Sequence, residues 1–201
     1  MTNIASNDRQ ISTGDTTRND RFAGLLAIVI SLAAIGLGIV ILERSKSETW
    51  IYENREAGID GRYPAQWLVN EQGDYIVQIR DPRATPFKTQ YILRALPLSQ
   101  DDTIRNVLDN LTLQRSTSLS GYRVLDIEER NQGNRQITEM SFVFVDTDPN
   151  PYIERLPIIV LGLDRVIQDG DRAIVVTFMS AKESFNANLP DFEQFMATLE
   201  F

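Results

Sequence analysis

The sequence predicts an α+β fold, an antiparallel β-sheet flanked by helices, preceded by a single transmembrane helix. Three observations predict it. Most of residues 50–201 reads as short strand-forming runs separated by turn residues, with Tyr75, Val77 and Ile79 alternating onto one face. Two segments in that stretch switch to helical period, each with one apolar face. Ahead of them lies FAGLLAIVISLAAIGLGIVIL, Phe22–Leu42, a run of 21 residues without a charge.

Residues 1–20 are polar, lack aromatics and show no periodicity, so they read as a disordered tail. The membrane helix is placed at 21–43, between Arg21 and Glu43. At about 1.5 Å per residue the run matches the roughly 30 Å hydrocarbon core. Thirteen of its 21 residues are Leu, Ile, Val or Phe, which favours insertion into the bilayer. It is longer than a signal-peptide core and no A-x-A site follows it, so an uncleaved anchor is expected. Arg18 and Arg21 balance Arg44 and Lys46 across the span, so basic residues do not orient it. A short polar tail before a single span points to a cytoplasmic N-terminus and an extracytoplasmic domain. Ala27, Ser31, Ala34 and Gly38 recur at spacings of four, three and four and share one helical face. They are the candidates for packing against a second membrane helix.

Residues 44–49 form a polar stem, and the soluble domain is placed at 50–201. In GRYPAQWLV, Pro64 fixes its own φ and biases Tyr63 toward extended geometry. Tyr63 then ends a strand, Trp67 begins the next, and the two aromatics staple the corner to a core. DYIVQIR, KTQYILRAL, GYRVLDIEE, QITEMSFVFVD, ERLPIIVLGLDRVIQ and DRAIVVTFM are the following strands. Met140, Phe142 and Phe144 share a face of the fourth of these, and Asp169-Gly170 joins the last two in a tight hairpin. In SQDDTIRNVLDNLTLQ, Ile104, Val107, Leu108 and Leu111 make a helical stripe, with Asp101 and Asp102 at its start. In NLPDFEQFMATLEF, Pro190 is expected in the first turn of a helix whose stripe is Phe192, Phe195, Met196 and Leu199.

Composition narrows the function. The net charge is −8; residues 1–42 carry three Arg and three Asp, so all of it falls on residues 43–201. Such a domain repels phosphate backbones, and nucleic acid is not an expected partner. There is no Cys and no His, which removes disulfides, thiolate nucleophiles, zinc–thiolate sites and the commonest general base. Phosphate loops and the nucleophile elbow are absent. Asp146, Asp148 and Asn150 have calcium-loop spacing, but Pro151 and Pro157 stand where that loop needs Gly and Glu. Glu128 and Glu139 read as carboxylates on solvated strand faces, and the Asn110 sequon falls on a helix. No catalytic residue, cofactor or metal is expected.

GIDGRYPAQW resembles the opening of PsbP-like domains, with a Gly-containing strand and a Tyr63-Pro64-x-x-Trp67 corner. The order of later segments, through DRAIVVTFMSAKESF to the closing FMATLEF, is similar to that family over residues 50–201. The resemblance implies an α/β/α sandwich in a non-enzymatic protein that stabilises or assembles a membrane complex, photosystem II being the best-known setting. The expectation is therefore an accessory or scaffold protein. Its partners are subunits of a membrane complex, met through the membrane helix and the soluble domain, and the lipid bilayer. The alternative is a membrane-tethered extracytoplasmic ligand-binding domain.

Overall fold

A computed structural model of the chain describes residues 26–38, 48–99, 102–132, 135–147 and 156–201. Residues 26–38 are helical (α1) and exposed along their length. The rest of the expected span, and the expected tail, lie outside the described residues. Among the described residues no helix is long and apolar enough to cross a membrane.

Thr49–Phe201 forms a compact unit of its own. Its strands are β1 (Thr49–Asn54), β2 (Ile59–Pro64), β3 (Leu68–Asn70), β4 (Val77–Arg80), β5 (Gln90–Pro97), β6 (Ser120–Gln132), β7 (Arg135–Asp146), β8 (Ile158–Asp169) and β9 (Arg172–Ala181). Helix α2 (Ile104–Ser118) crosses from β5 to β6, and α3 (Lys182–Thr198) closes the chain. A seven-stranded sheet runs β3-β4-β5-β9-β8-β7-β6, and β1 pairs with β2 separately. Every pairing is antiparallel; tight turns impose this on hairpins such as β8–β9, while β5 and β9 meet from distant parts of the chain.

Alternation along the central strands assigns the two faces. Ile174, Val176 and Phe178 of β9 face α3 and the β1–β2 hairpin, in a core with Tyr91, Phe192, Phe195 and Leu199. Ala173 and Val175 face the other way, where Val107, Leu108 and Leu111 of α2 meet Met140 and Val166. Phe142 and Phe144 extend that second face toward its far end, with Val160 and Ala181. The result is helix on sheet on helix, an α/β/α sandwich. In the β8–β9 hairpin Asp169 pairs with Arg172, so the turn residues are Gly170 and Asp171, one step later than expected. Gly170 has φ +59°, a left-handed conformation that favours glycine at the first turn position.

Two helix starts differ from expectation. Thr103 caps α2, its hydroxyl accepting from the Asn106 N–H at 3.4 Å, while the Asp102 carboxylate accepts from the Ser99 N–H at 2.9 Å and caps the preceding turn. Asp101 lies outside the described residues. Helix α3 begins at Lys182, well before Pro190, which lies inside it. Phe185 and Leu189 extend the apolar stripe backward onto the same core. Pro190 and Asn186 both sit on the exposed side, so the carbonyl that Pro190 leaves unbonded meets water.

Candidate functional site

Within strand β8 the apolar run 158–167 is interrupted by two charges, Asp164 and Arg165. Adjacent strand residues point to opposite faces, so each reaches a different helix. Arg115 of α2 is bidentate on Asp164; its Nη2 lies 2.9 Å from Oδ1 and 3.2 Å from the Thr177 hydroxyl, which itself donates to Oδ1 at 2.6 Å. The Arg115 guanidinium stacks 4.3 Å from the Phe142 ring centroid. That ring lies on Gly162, where a Cβ would come within 2.1 Å of Phe142 Cζ. On the other face Arg165 is bidentate on Glu193 of α3, with Nη1 2.7 Å from Oε2, and its Nε donates to Glu139 at 2.9 Å. Burial alone would lower both guanidinium pKa values, but the paired carboxylates outweigh it and hold them above the usual range. These pairs clamp α2 and α3 to the sheet, and their side chains are taken up in doing so.

The β5 flank of α2 is different. The stripe of α2 buries Val107 and Leu111, and Asn106, Asn110 and Gln114 follow at intervals of four along the flank. They line a groove of about 340 Å³ whose other wall is β5, with Arg94 and Leu96. Asp74 and Asp102 also line it. Arg94 is half-buried; its Nε donates to the Asp74 carbonyl at 3.0 Å. Among the described residues no carboxylate forms an ion pair with it. Its pKa is held below the usual range by burial first and by the charge of Arg115 second.

The expected carboxylates meet in the sheet. Glu128 and Glu139 are direct partners across β6 and β7. Glu139 is largely buried rather than solvated. Arg130 lies between the two, 3.2 Å from Glu128 and 3.7 Å from Glu139, so they are joined through a cation. Asp148 and Asn150 lie outside the described residues. No group of three or more acidic side chains among the described residues is placed to hold a metal.

Trp67 is half-buried and its ring lies 4.7 Å from that of Tyr91, with the corner closed by a 3.0 Å bond from the Trp67 N–H to the Pro64 carbonyl. The small residues Ala27, Ser31, Ala34 and Gly38 lie on α1, all exposed, and the Ser31 hydroxyl donates to the Ala27 carbonyl at 2.9 Å. Ser31 is thus satisfied within its own helix, and the face offers van der Waals contact.

No protein-family model and no curated protein matches the chain. Solved structures do. Cyanobacterial PsbP (CyanoP) from Synechocystis superposes with a TM-score of 0.57 at 12% identity, over 77% of this chain and 92% of that one. A Bacteroides thetaiotaomicron protein gives 0.51 at 14% identity, over 75% of this chain and 47% of its own. The Saccharomyces cerevisiae Ran-binding protein Mog1p gives 0.50 at 8% identity, over 76% and 95%. At these identities the likeness establishes the fold alone: Thr49–Phe201 has the fold of cyanobacterial PsbP.

Proposed function

We propose that this chain is a single-pass membrane protein. Its extracytoplasmic PsbP-like domain is a non-enzymatic accessory module that binds, and stabilises or helps assemble, a membrane protein complex. The observation that carries this reading is one chain joining an uncharged 21-residue run to a domain with the fold of PsbP. The described part of that run is helical and exposed throughout, a surface that lipid would cover. One structural neighbour is by name a Ran-binding protein, so the same fold serves protein binding elsewhere.

A membrane fraction washed at alkaline pH should retain the full chain. Extraction in mild detergent should bring down defined partner proteins. Replacing Ala34 and Gly38 by Leu keeps the run apolar but blocks close helix approach, so partners bound through that face should be lost. Release by the alkaline wash would sink the anchor; a chain that purifies alone would sink the accessory role. The groove beside α2 supports a second reading, a tethered ligand-binding domain, because it joins an apolar floor to converging polar groups.

A further inference from the structure

We propose that the groove between α2 and β5 binds a short extended polypeptide segment, placing a carboxylate of that segment on Arg94. The inference deepens the binding reading above and rests on it, though not on membrane attachment.

The two walls define the ligand. Arg94 spends its Nε on the Asp74 carbonyl, which leaves the terminal guanidinium nitrogens for a planar acceptor. Its neighbour Arg115 is already held by Asp164 and Thr177, so a carboxylate arriving here has one cation to choose. Such a group would offset the burial of Arg94 and the like charge of Arg115 together.

Along α2 the ladder Asn106, Asn110 and Gln114 spans eight residue steps, or about 12 Å. An extended chain rising about 3.3 Å per residue covers that length in about four residues. Each amide carries a donor and an acceptor, as does each peptide unit of an extended backbone. Asn106 Oδ1 is taken by the Thr103 hydroxyl; Asn110 and Gln114 make no side-chain hydrogen bond among the described residues. Between the walls, Leu96, Val107 and Leu111 offer an apolar floor for alternate side chains.

Other ligand classes fit less well. Among the described residues no aromatic lines the groove, so they give a sugar ring or a base no stacking face. Asp74 and Asp102 sit among the lining residues and oppose a doubly charged phosphate more than a singly charged carboxylate, while favouring a basic residue beside the carboxylate that Arg94 holds.

The test uses the full chain, immobilised in detergent micelles, and a random library of short peptides with free C-termini. Enriched peptides should combine a carboxylate with apolar residues at alternate positions and a nearby Lys or Arg. Arg94→Gln should weaken a selected peptide by about 10-fold or more, the usual effect of losing a charge-assisted pair. Asn110→Leu with Gln114→Leu changes exposed residues and should also weaken it with the fold intact. Arg83→Gln, exposed and outside the groove, should leave it unchanged. No enrichment overturns the proposal, as do selected peptides indifferent to both groove variants. So does an Arg94-dependent uronic-acid oligosaccharide binding where peptides do not. Peptide selection and detergent co-purification are separate readouts: partners that stay on the Arg94→Gln protein without any enriched peptide would end this inference and leave the accessory reading standing.

Discussion

Removing the Asp164 carboxylate should be among the most damaging single changes in the soluble domain. Asp164 is fully buried and the Arg115 side chain is only 10% exposed. Asp164→Ala leaves the guanidinium facing Thr177 and the Phe142 ring, which are poor substitutes for an anion. Coulomb attraction at about 4 Å with an effective dielectric of about 20 is about 4 kcal/mol. Measured losses on breaking buried pairs, about 3–5 kcal/mol, bracket that value. Urea unfolding of a fragment beginning at Glu48, followed by far-ultraviolet circular dichroism, should therefore show Asp164→Ala less stable by about 3–5 kcal/mol. Arg115→Met with Asp164→Leu removes both charges and fills the space, and should recover most of the loss. A cost under about 1 kcal/mol for the single change, or a double variant no better than the single, would refute the reasoning, because an uncompensated buried charge would then not be the cause.

Three further outcomes follow from the same packing. Gly162→Ala sets a methyl against the Phe142 ring and should cost about 1–3 kcal/mol, with Phe142→Leu in the same chain recovering part of it, both read from urea midpoints. The Tyr91 hydroxyl is buried without a hydrogen-bond partner among the described residues, and burial pushes its pKa up, so Tyr91→Phe should hold or raise stability by up to about 1 kcal/mol; a loss of that size would reveal a bond to the hydroxyl. Glu193 is held below its ordinary pKa of 4.5 by the hydrogen bond to Arg165, so its contribution is complete above that value and is lost as pH falls through the lower folded-state pKa. The melting-temperature gap between wild type and Glu193→Gln should therefore be constant near neutrality and close below about pH 4.5.

The strands and helices were legible because their signal is local. Period-two alternation marks β4 and the Met140–Phe144 part of β7, apolar runs bounded by turn residues mark β8 and β9, and the stripe of Val107, Leu108 and Leu111 marks α2. The early start of α3 was missed: Phe185 and Leu189 continue its stripe, but Pro190 reads as a helix start whenever solvent exposure is unknown. The clamps were only half legible. Asp164 and Arg165 side by side in an apolar strand announce buried partners on opposite faces. Arg115 and Glu193, the partners, lie 49 and 28 residues away and carry no local mark. The pairing of Glu128 with Glu139 depends on hairpin register, which the intervening turn decides.

The groove has no sequence motif, yet the topology makes it nearly unavoidable. Seven strands about 4.8 Å apart make a sheet about 29 Å across, and a helix with its side chains is about 10–12 Å wide. On one face α3 and the β1–β2 hairpin share the covering. On the other, α2 alone lies against residues of β6, β7, β8 and β9 and, at the margin, against the partly buried Leu96 of β5. Strand β5, one step beyond β9, is left at the edge of that cover. There a side chain can be neither fully core nor fully surface, and the chain places Arg94 and Leu96 at those positions. A half-covered sheet flank needs polar groups that tolerate both water and contact. An arginine among amides, with no carboxylate ion-paired to it among the described residues, meets that need and leaves a cation available to a visiting anion.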